Sequence, residues 1–501
     1  LSCLSRIEIW WCNMKKIILI YFLLFSVGLP SISMEGIYEG QFGKTYESDA
    51  FEWNMWDPNY YLETRLYGNP IHNSDFYIKF YADKDYTQSE QALAVLSEGH
   101  ISFRQDKNDN GFSTTLFTRE SRHYWLDGSM LGLVNTGSVN NDGNGQGMRF
   151  DFWHNYNGSM TYVFSDFSQG GGDDIHLIRY RQSLFKNNIN TGLFFQRKHY
   201  PTGNLKDYNQ VIAHDLKIHA GRYYFTSEIA ISNVPSDSSI TALNDDYQSK
   251  DFFKSNVAIK SELKGLRIGS PNSGYWFFTP GVFSYGNTYR NYMGDNQSNR
   301  YGYWLNSYYL VPQRAITLTL NYNQSQKLVA DSITVFSDSL YSKGIFDPTI
   351  NIYAEVYIEF VNGFKGKIAF NKKDEKWQGQ LYKHYDFFSE ISVENSLAKL
   401  LGQFKIKDLG ETWEKHIAGI ELSVNLTDKW RFFTRGIIAD DRVGSRFSIF
   451  TELQYRMSGN TELYLQYGPS YWGQYGLVND DGFASSGIMR KEVKLILKGW
   501  F

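Results

Sequence analysis

Through most of this chain apolar and polar residues exchange places at every second position, a period that belongs to β-strands with two different faces. In 352–360, Ile352, Ala354, Val356, Ile358 and Phe360 share one face, and Tyr353, Glu355, Tyr357 and Glu359 share the other. Segment 316–323 sets Ile316, Leu318, Leu320 and Tyr322 against Thr317, Thr319, Asn321 and Asn323. In 420–427, Ile420, Leu422, Val424 and Leu426 alternate with Glu421, Ser423, Asn425 and Thr427. A membrane-crossing helix needs about 20 predominantly apolar residues in a row, and after residue 33 the sequence has no such run. The mean hydropathy of -0.43 reads as a water-soluble chain. Strands of a transmembrane barrel give the same average, because lipid-facing and lumen-facing residues alternate.

Alternation alone suits a soluble sandwich or propeller equally well; the connections separate the cases. Short turns fall at Asp109-Asn110-Gly111, Asn157-Gly158, Asn187-Asn188, Ala220-Gly221, Asn362-Gly363, Thr427-Asp428-Lys429 and Ser458-Gly459-Asn460. Longer polar links lie at 121–145, 200–208, 234–250, 327–349, 374–386 and 469–488. Short and long connections taking turns is the rhythm of a barrel with tight turns on one rim and long loops on the other. Aromatics at 17%, with 43 glycines and only 10 prolines, suit many strands joined by tight turns. The expectation is an all-β chain forming a single large antiparallel transmembrane β-barrel over 34–501, with about 22 strands and a range of 18 to 24. Segments 36–67 and 264–311 are ambiguous. Segment 121–135 reads as a short helix in an external loop or as a piece folded into the lumen.

The N-terminal region reads as an export signal. From Met14, Lys15 and Lys16 precede an apolar stretch, Ile17 to Leu29, interrupted only by Ser26 and Gly28. Ser31 and Ser33 then supply the small residues at -3 and -1 of a signal-peptidase site. Residues 14–33 are therefore expected to be a cleaved signal peptide, and residues 1–13, which begin with Leu, a mis-called translation start. Cys3 and Cys12 both lie in 1–13, so the exported chain is expected to have neither disulfides nor thiol chemistry. Three bases (Arg6, Lys15, Lys16) and one acid (Glu8) precede residue 34. With 50 bases and 53 acids in all, the remainder is mildly acidic, and nothing in that balance suggests nucleic acid.

The last segment carries the most specific pattern. In 491–501, Val493, Leu495, Leu497 and the terminal Phe501 fall on one face, broken only by Gly499. Glu492, Lys494 and Lys498 fall on the other, with Ile496 and Trp500. This resembles the C-terminal signature of Gram-negative outer-membrane β-barrel proteins, and the whole chain is similar to porin-like barrels in architecture. The resemblance implies an outer-membrane location, lipid as surroundings and the barrel-assembly machinery as a partner.

For function, charge placement says more than motifs. No G-x-S-x-G, H-E-x-x-H, P-loop or Cys/His cluster occurs, so no catalytic, cofactor or metal site is expected. Arg104, Arg119, Arg149, Arg179, Arg181 and Arg197 fall in predicted strands, and an arginine facing lipid at the midplane costs about 2–4 kcal/mol. They are therefore expected to point inward, accompanied by lumen-facing acids such as Asp151, Glu355, Glu359 and Glu421. Rows of arginine facing carboxylates resemble porin-like channels that filter polar solutes. Inward Trp153, Tyr353 and Tyr357 are candidate stacking surfaces for sugar rings. No separate plug domain is visible before the first clear strand, so the expected mode is passive diffusion of small polar solutes, anionic ones or oligosaccharides included. The alternatives are a surface-interaction barrel binding a partner through loops 121–145, 234–250, 327–349 and 469–488, and a barrel enzyme.

Overall fold

A computed structural model describes residues 32–46, 57–69, 72–84, 93–120, 130–134, 146–166, 174–202, 205–233, 256–291, 293–294, 297–311, 315–328, 348–360, 363–377, 380–442, 444–468 and 491–501. Apart from turns and bends these residues are β-strand. In chain order the strands are β1 (Ile32–Tyr46), β2 (Asp57–Gly68), β3 (Ser74–Lys84), β4 (Leu93–Lys107), β5 (Asn110–Thr118), β6 (Gln146–His154), β7 (Gly158–Asp166) and β8 (Asp174–Leu184). Next come β9 (Ile189–Thr202), β10 (Leu205–Ala220), β11 (Tyr223–Ser232), β12 (Val257–Lys264), β13 (Leu266–Ser270), β14 (Gly274–Tyr285), β15 (Arg300–Leu310) and β16 (Ala315–Gln326). The last are β17 (Thr349–Glu359), β18 (Phe364–Trp377), β19 (Gln380–Glu394), β20 (Ala398–Lys407), β21 (Lys415–Asn425), β22 (Trp430–Asp441), β23 (Gly444–Ser458), β24 (Thr461–Tyr467) and β25 (Lys491–Trp500).

Neighbours in sequence are neighbours in space, always antiparallel, with one exception. β12 and β13 both pair with β14, the first through Ala258↔Tyr285 to Glu262↔Gly281 and the second through Leu266↔Phe278 to Ser270↔Gly274. They are one stave interrupted by a bulge at Gly265, whose φ of +87° and tight approach to the Arg222 carbonyl exclude a side chain. The 25-stranded sheet is therefore a wall of 24 staves. β1 pairs with β25 from Ile37↔Trp500 to Tyr46↔Lys491, which closes the sheet on itself. A closed barrel leaves no strand edge for lipid to leave unsatisfied. The count of 24 stands at the top of the range expected from sequence.

The pleat gives this wall two unlike faces. Leu193, Ile212, Ile231, Ile391, Ile420, Ile438, Phe447 and Leu465 all point outward and are exposed. Large apolar side chains left uncovered on nearly every stave mark a face whose solvent is lipid rather than water. The intervening residues point into the barrel. The ambiguous stretches resolve as strands: 36–67 supplies most of β1 and β2, and 264–311 supplies β13, β14 and β15. Two stretches read from sequence as long links are mostly strand. β9 and β10 continue through 200–202 and from 205, and β18 and β19 leave only 378–379 between them. Turns on the opposite rim are tight; Asn108 and Asp109, both at positive φ, join β4 to β5 in the conformation that matches strand twist. Among the described residues no helix is long and apolar enough to cross a membrane.

Candidate functional site: the lumen

The inward faces of the staves differ between two halves of the wall. Along β5, β7–β12 and β14 they carry Phe117, Val163, Leu177, Phe194, Val211 and Ala258, all buried. They are buried because two segments enter the lumen and cover them. One is 130–134, which contributes Leu131 and Leu133; the other is 286–294, which contributes Tyr289 and Met293. The Leu131 N–H donates to Glu228 Oε2 at 2.8 Å. Asn291, fully buried, accepts from Gln196 Nε2 at 2.6 Å and donates to the carbonyls of Gly132 (3.3 Å) and Leu133 (3.2 Å). Asn209 and Ser232 hold the backbone of Arg290 through bonds of 3.2 Å and 2.9 Å. A carboxamide is suited to this, having two donors and an acceptor for backbone groups that would otherwise be stranded inside. Of the segment 121–135, then, 130–134 lies in the lumen without helix; 121–129 and 135 lie outside the described residues.

Facing this apolar half, the inward residues of β17–β25 and β1–β4 carry a belt of charge and amide, interrupted on β21–β23 by a buried apolar cluster of Ile417, Ile437, Ala439 and Phe450. Lys367 lies 3.6 Å from Glu355, and Lys365 lies 3.8 Å from Glu359. Arg435 holds Glu421 at 2.6 Å, and Gln403 donates to Glu390 at 2.5 Å. Gln466 donates to Glu452 at 2.6 Å, and Lys498 meets Glu39 at 2.7 Å across the closing seam. Lys79 continues the series with Glu63 at 3.1 Å. Most of these side chains are half-buried, as expected for a water-facing interior.

The sequence-derived residues fall mostly where the alternation put them. Arg149 Nε pairs with Asp151 at 2.7 Å, and Asp151 also accepts from Thr161 at 2.6 Å. Arg179 Nη2 meets Asp215 at 2.7 Å. The Asp215 carboxylate leans over Gly192, the cross-strand partner of Arg181, so Arg181 sits on the same inward row. Arg104 is inward but at the short-turn rim, 65% exposed, bonded to Asp106 at 2.7 Å and placed 4.7 Å over the Trp153 ring. Glu355, Glu359 and Glu421 face inward as described above.

Two arginines do not. Arg197 shares its face with Leu193 and, through its partner Gln210, with Ile212, which is the outer one. Its guanidinium stacks 3.6 Å over the Tyr208 ring near the long-loop rim, where an amphipathic arginine finds an interfacial rather than a hydrocarbon setting. Arg119 is not on a strand at all. β5 stops at Thr118, Arg119 turns to φ +57°, and its Nη1 donates to the Leu96 carbonyl at 2.9 Å.

At the C-terminus, Leu495, Leu497 and Phe501 lie on the exposed outer face, and Val493 shares their parity. The Phe501 backbone exchanges bonds with Gly36 (2.8 and 3.2 Å). Ser33 is the second residue of β1, opposite Tyr67; Ser31 lies outside the described residues, as do loops 234–250 and 469–488 and most of 327–349.

No family model and no curated protein matches the chain. Among solved structures it is similar to the siderophore receptor PirA from Pseudomonas aeruginosa, at 9% identity over 94% of this chain and 81% of that one, with a TM-score of 0.45. The copper transporter OprC matches at 10% identity over 94% and 81%, with a TM-score of 0.43. The translocation pore of the P pilus usher PapC matches at 7% identity over 94% and 99%, with a TM-score of 0.41. The chain's own geometry decides more: a closed wall, an apolar exterior, one rim of tight turns and one of long links. This is an outer-membrane β-barrel.

The inserted segment 286–294 escaped the sequence reading. Its signal was Tyr289 and Met293 standing in an otherwise polar link, since large apolar side chains in a connection must find cover.

Proposed function

We propose that the barrel is a channel for passive diffusion of small polar solutes across the outer membrane, narrowed on one side by segments 130–134 and 286–294. The observation that carries this reading is the belt of half-buried Lys, Arg, Glu and Gln side chains along β17–β25 and β1–β4. The covered β5–β14 half is lined largely by apolar inward residues; a belt of half-exposed charges and amides instead keeps its remaining hydrogen-bonding capacity satisfied by water. Paired rather than one-signed charge favours solutes that are polar over ions of a single sign. In this reading the chain is exported after cleavage following Ser33. The barrel-assembly machinery engages the strand carrying Val493, Leu495, Leu497 and Phe501, and the barrel performs no chemistry of its own. Reconstitution of the purified, folded barrel into planar bilayers is the test. Discrete conductance steps are expected, and a folded barrel that conducts nothing at all would sink the proposal.

A further inference from the structure

Where the inserted segments meet the polar half, the wall is hollowed into a recess of about 730 Å³. Its floor is a patch of inward residues in one register. Trp304 pairs with Asn323, Asn306 with Asn321, Asn321 with Tyr353, and Asn323 with Asn351. Met130, from the first inserted segment, and Gln297, three residues beyond the second, border it. We propose that this recess binds an acidic oligosaccharide. The inference rests on the channel reading, which supplies the ligand's route to the site.

Three features carry it. The first is the indole of Trp304. Its cross-strand partner is Gly281, and a side chain at that position would collide with the indole ring. With hydrogen there instead, the ring lies down on the backbone, its centre 6.1 Å from that of Phe283, and lines the recess as a flat apolar platform of the kind that takes the C–H face of a pyranose. The second is the carboxamide lattice around that platform. Neighbouring strands lie about 4.8 Å apart and same-face residues about 7 Å apart along a strand. At that spacing Asn306, Asn321, Asn323 and Asn351 present both donors and acceptors, which a ligand bearing hydroxyls all round can use and a planar heterocycle would leave largely unsatisfied. The third is charge. Lys260 Nζ stands 5.3 Å from the Trp304 ring, and Arg300 donates to Ser325 at 3.0 Å beside Phe283. Among the described residues neither has a carboxylate at salt-bridge distance, and the nearby Glu262 is engaged by Lys264 at 2.8 Å. Two cations with no carboxylate at salt-bridge distance among the described residues, beside such a surface, call for a carboxylate on the sugar.

The test uses the full barrel in planar bilayers, with trigalacturonate and maltotriose as probes. Trigalacturonate is expected to interrupt the current in a concentration-dependent way and to bind more tightly than maltotriose. Trp304→Ala should weaken it by roughly tenfold or more, the scale of one lost aromatic stacking contact, while Trp304→Phe retains most of the affinity and controls for folding. The double variant Lys260→Gln/Arg300→Gln should erase the preference for the acidic sugar and leave maltotriose unaffected. Equal binding by wild type and Trp304→Ala, or equal affinity for the two sugars in the wild type, overturns the proposal. Calorimetry on the detergent-solubilised barrel separates the two readings. Conductance without saccharide binding removes the recess and keeps the channel; binding without conductance removes the channel and keeps the recess.

Discussion

Gly36 has no side chain, and the ring of Phe501 occupies the space one would fill. The contact sits on the outer face of the seam, where β25 meets β1, and fastens the end of the closing strand to the second turn of pleat on the first. Leucine at 36 must push the ring away, and overpacking of this kind costs typically about 1–3 kcal/mol. Gly36→Leu is therefore expected to lower the urea midpoint of the barrel in micelles, whereas Gly40→Ala, which meets only the tip of Tyr38, should leave it near wild type. Matching midpoints for Gly36→Leu and wild type would show that the ring does not hold the seam. At this scale the sequence was legible where one face is uniformly apolar. Val493, Leu495 and Leu497 point as their spacing says. Arg197 was not, because Leu-Phe-Phe-Gln-Arg-Lys puts apolar and polar residues on both faces and the parity has to be counted from a neighbour.

The same ambiguity recurs in whole strands. A strand needs about 9–11 residues to cross the bilayer, but β9 has 14, β10 has 16, β18 has 14 and β19 has 15. Beyond the hydrocarbon both faces meet water, so alternation fades although backbone pairing continues. Segments 200–208 and 374–386 look like loops for that reason. Within the bilayer the two faces stay sharply distinct. Ile420, central in β21, points into lipid, and Ile420→Arg should cost about 2–4 kcal/mol of folding free energy in phospholipid vesicles. Gln403→Arg on the adjacent strand faces the lumen beside Glu390 and should be close to neutral. Similar costs for both substitutions would mean that the assignment of faces is wrong.

As a molecule, the barrel is wide but lopsided, one half of its interior apolar and covered, the other mostly charge and amide around a smaller apolar cluster on β21–β23. The cover is a matter of tertiary contact: Asn291 reaches Gln196 and the carbonyls of Gly132 and Leu133, residues remote in sequence, so no local pattern announces it. Nor does any single strand announce the asparagine recess, which six strands, β12 and β14–β18, assemble together. Replacing 286–294 with a short Gly-Ser link should widen the passage, seen as larger single-channel conductance at unchanged barrel fold. Unaltered conductance would place the narrowest point elsewhere.

The pairing of β1 with β25 has a consequence for how such a wall comes to exist. Ile37 and Trp500 stand opposite each other though nearly the whole chain runs between them. Contacts of that separation are the slowest to form, since loop-closure entropy is met before any of them contributes. Until the last strand arrives, a half-built cylinder exposes two raw edges, each able to recruit a stray strand from another chain. The molecule thus has no safe partial form in water. A chain cut short anywhere upstream of β25 is therefore a hazard to its neighbours before it is a failed barrel.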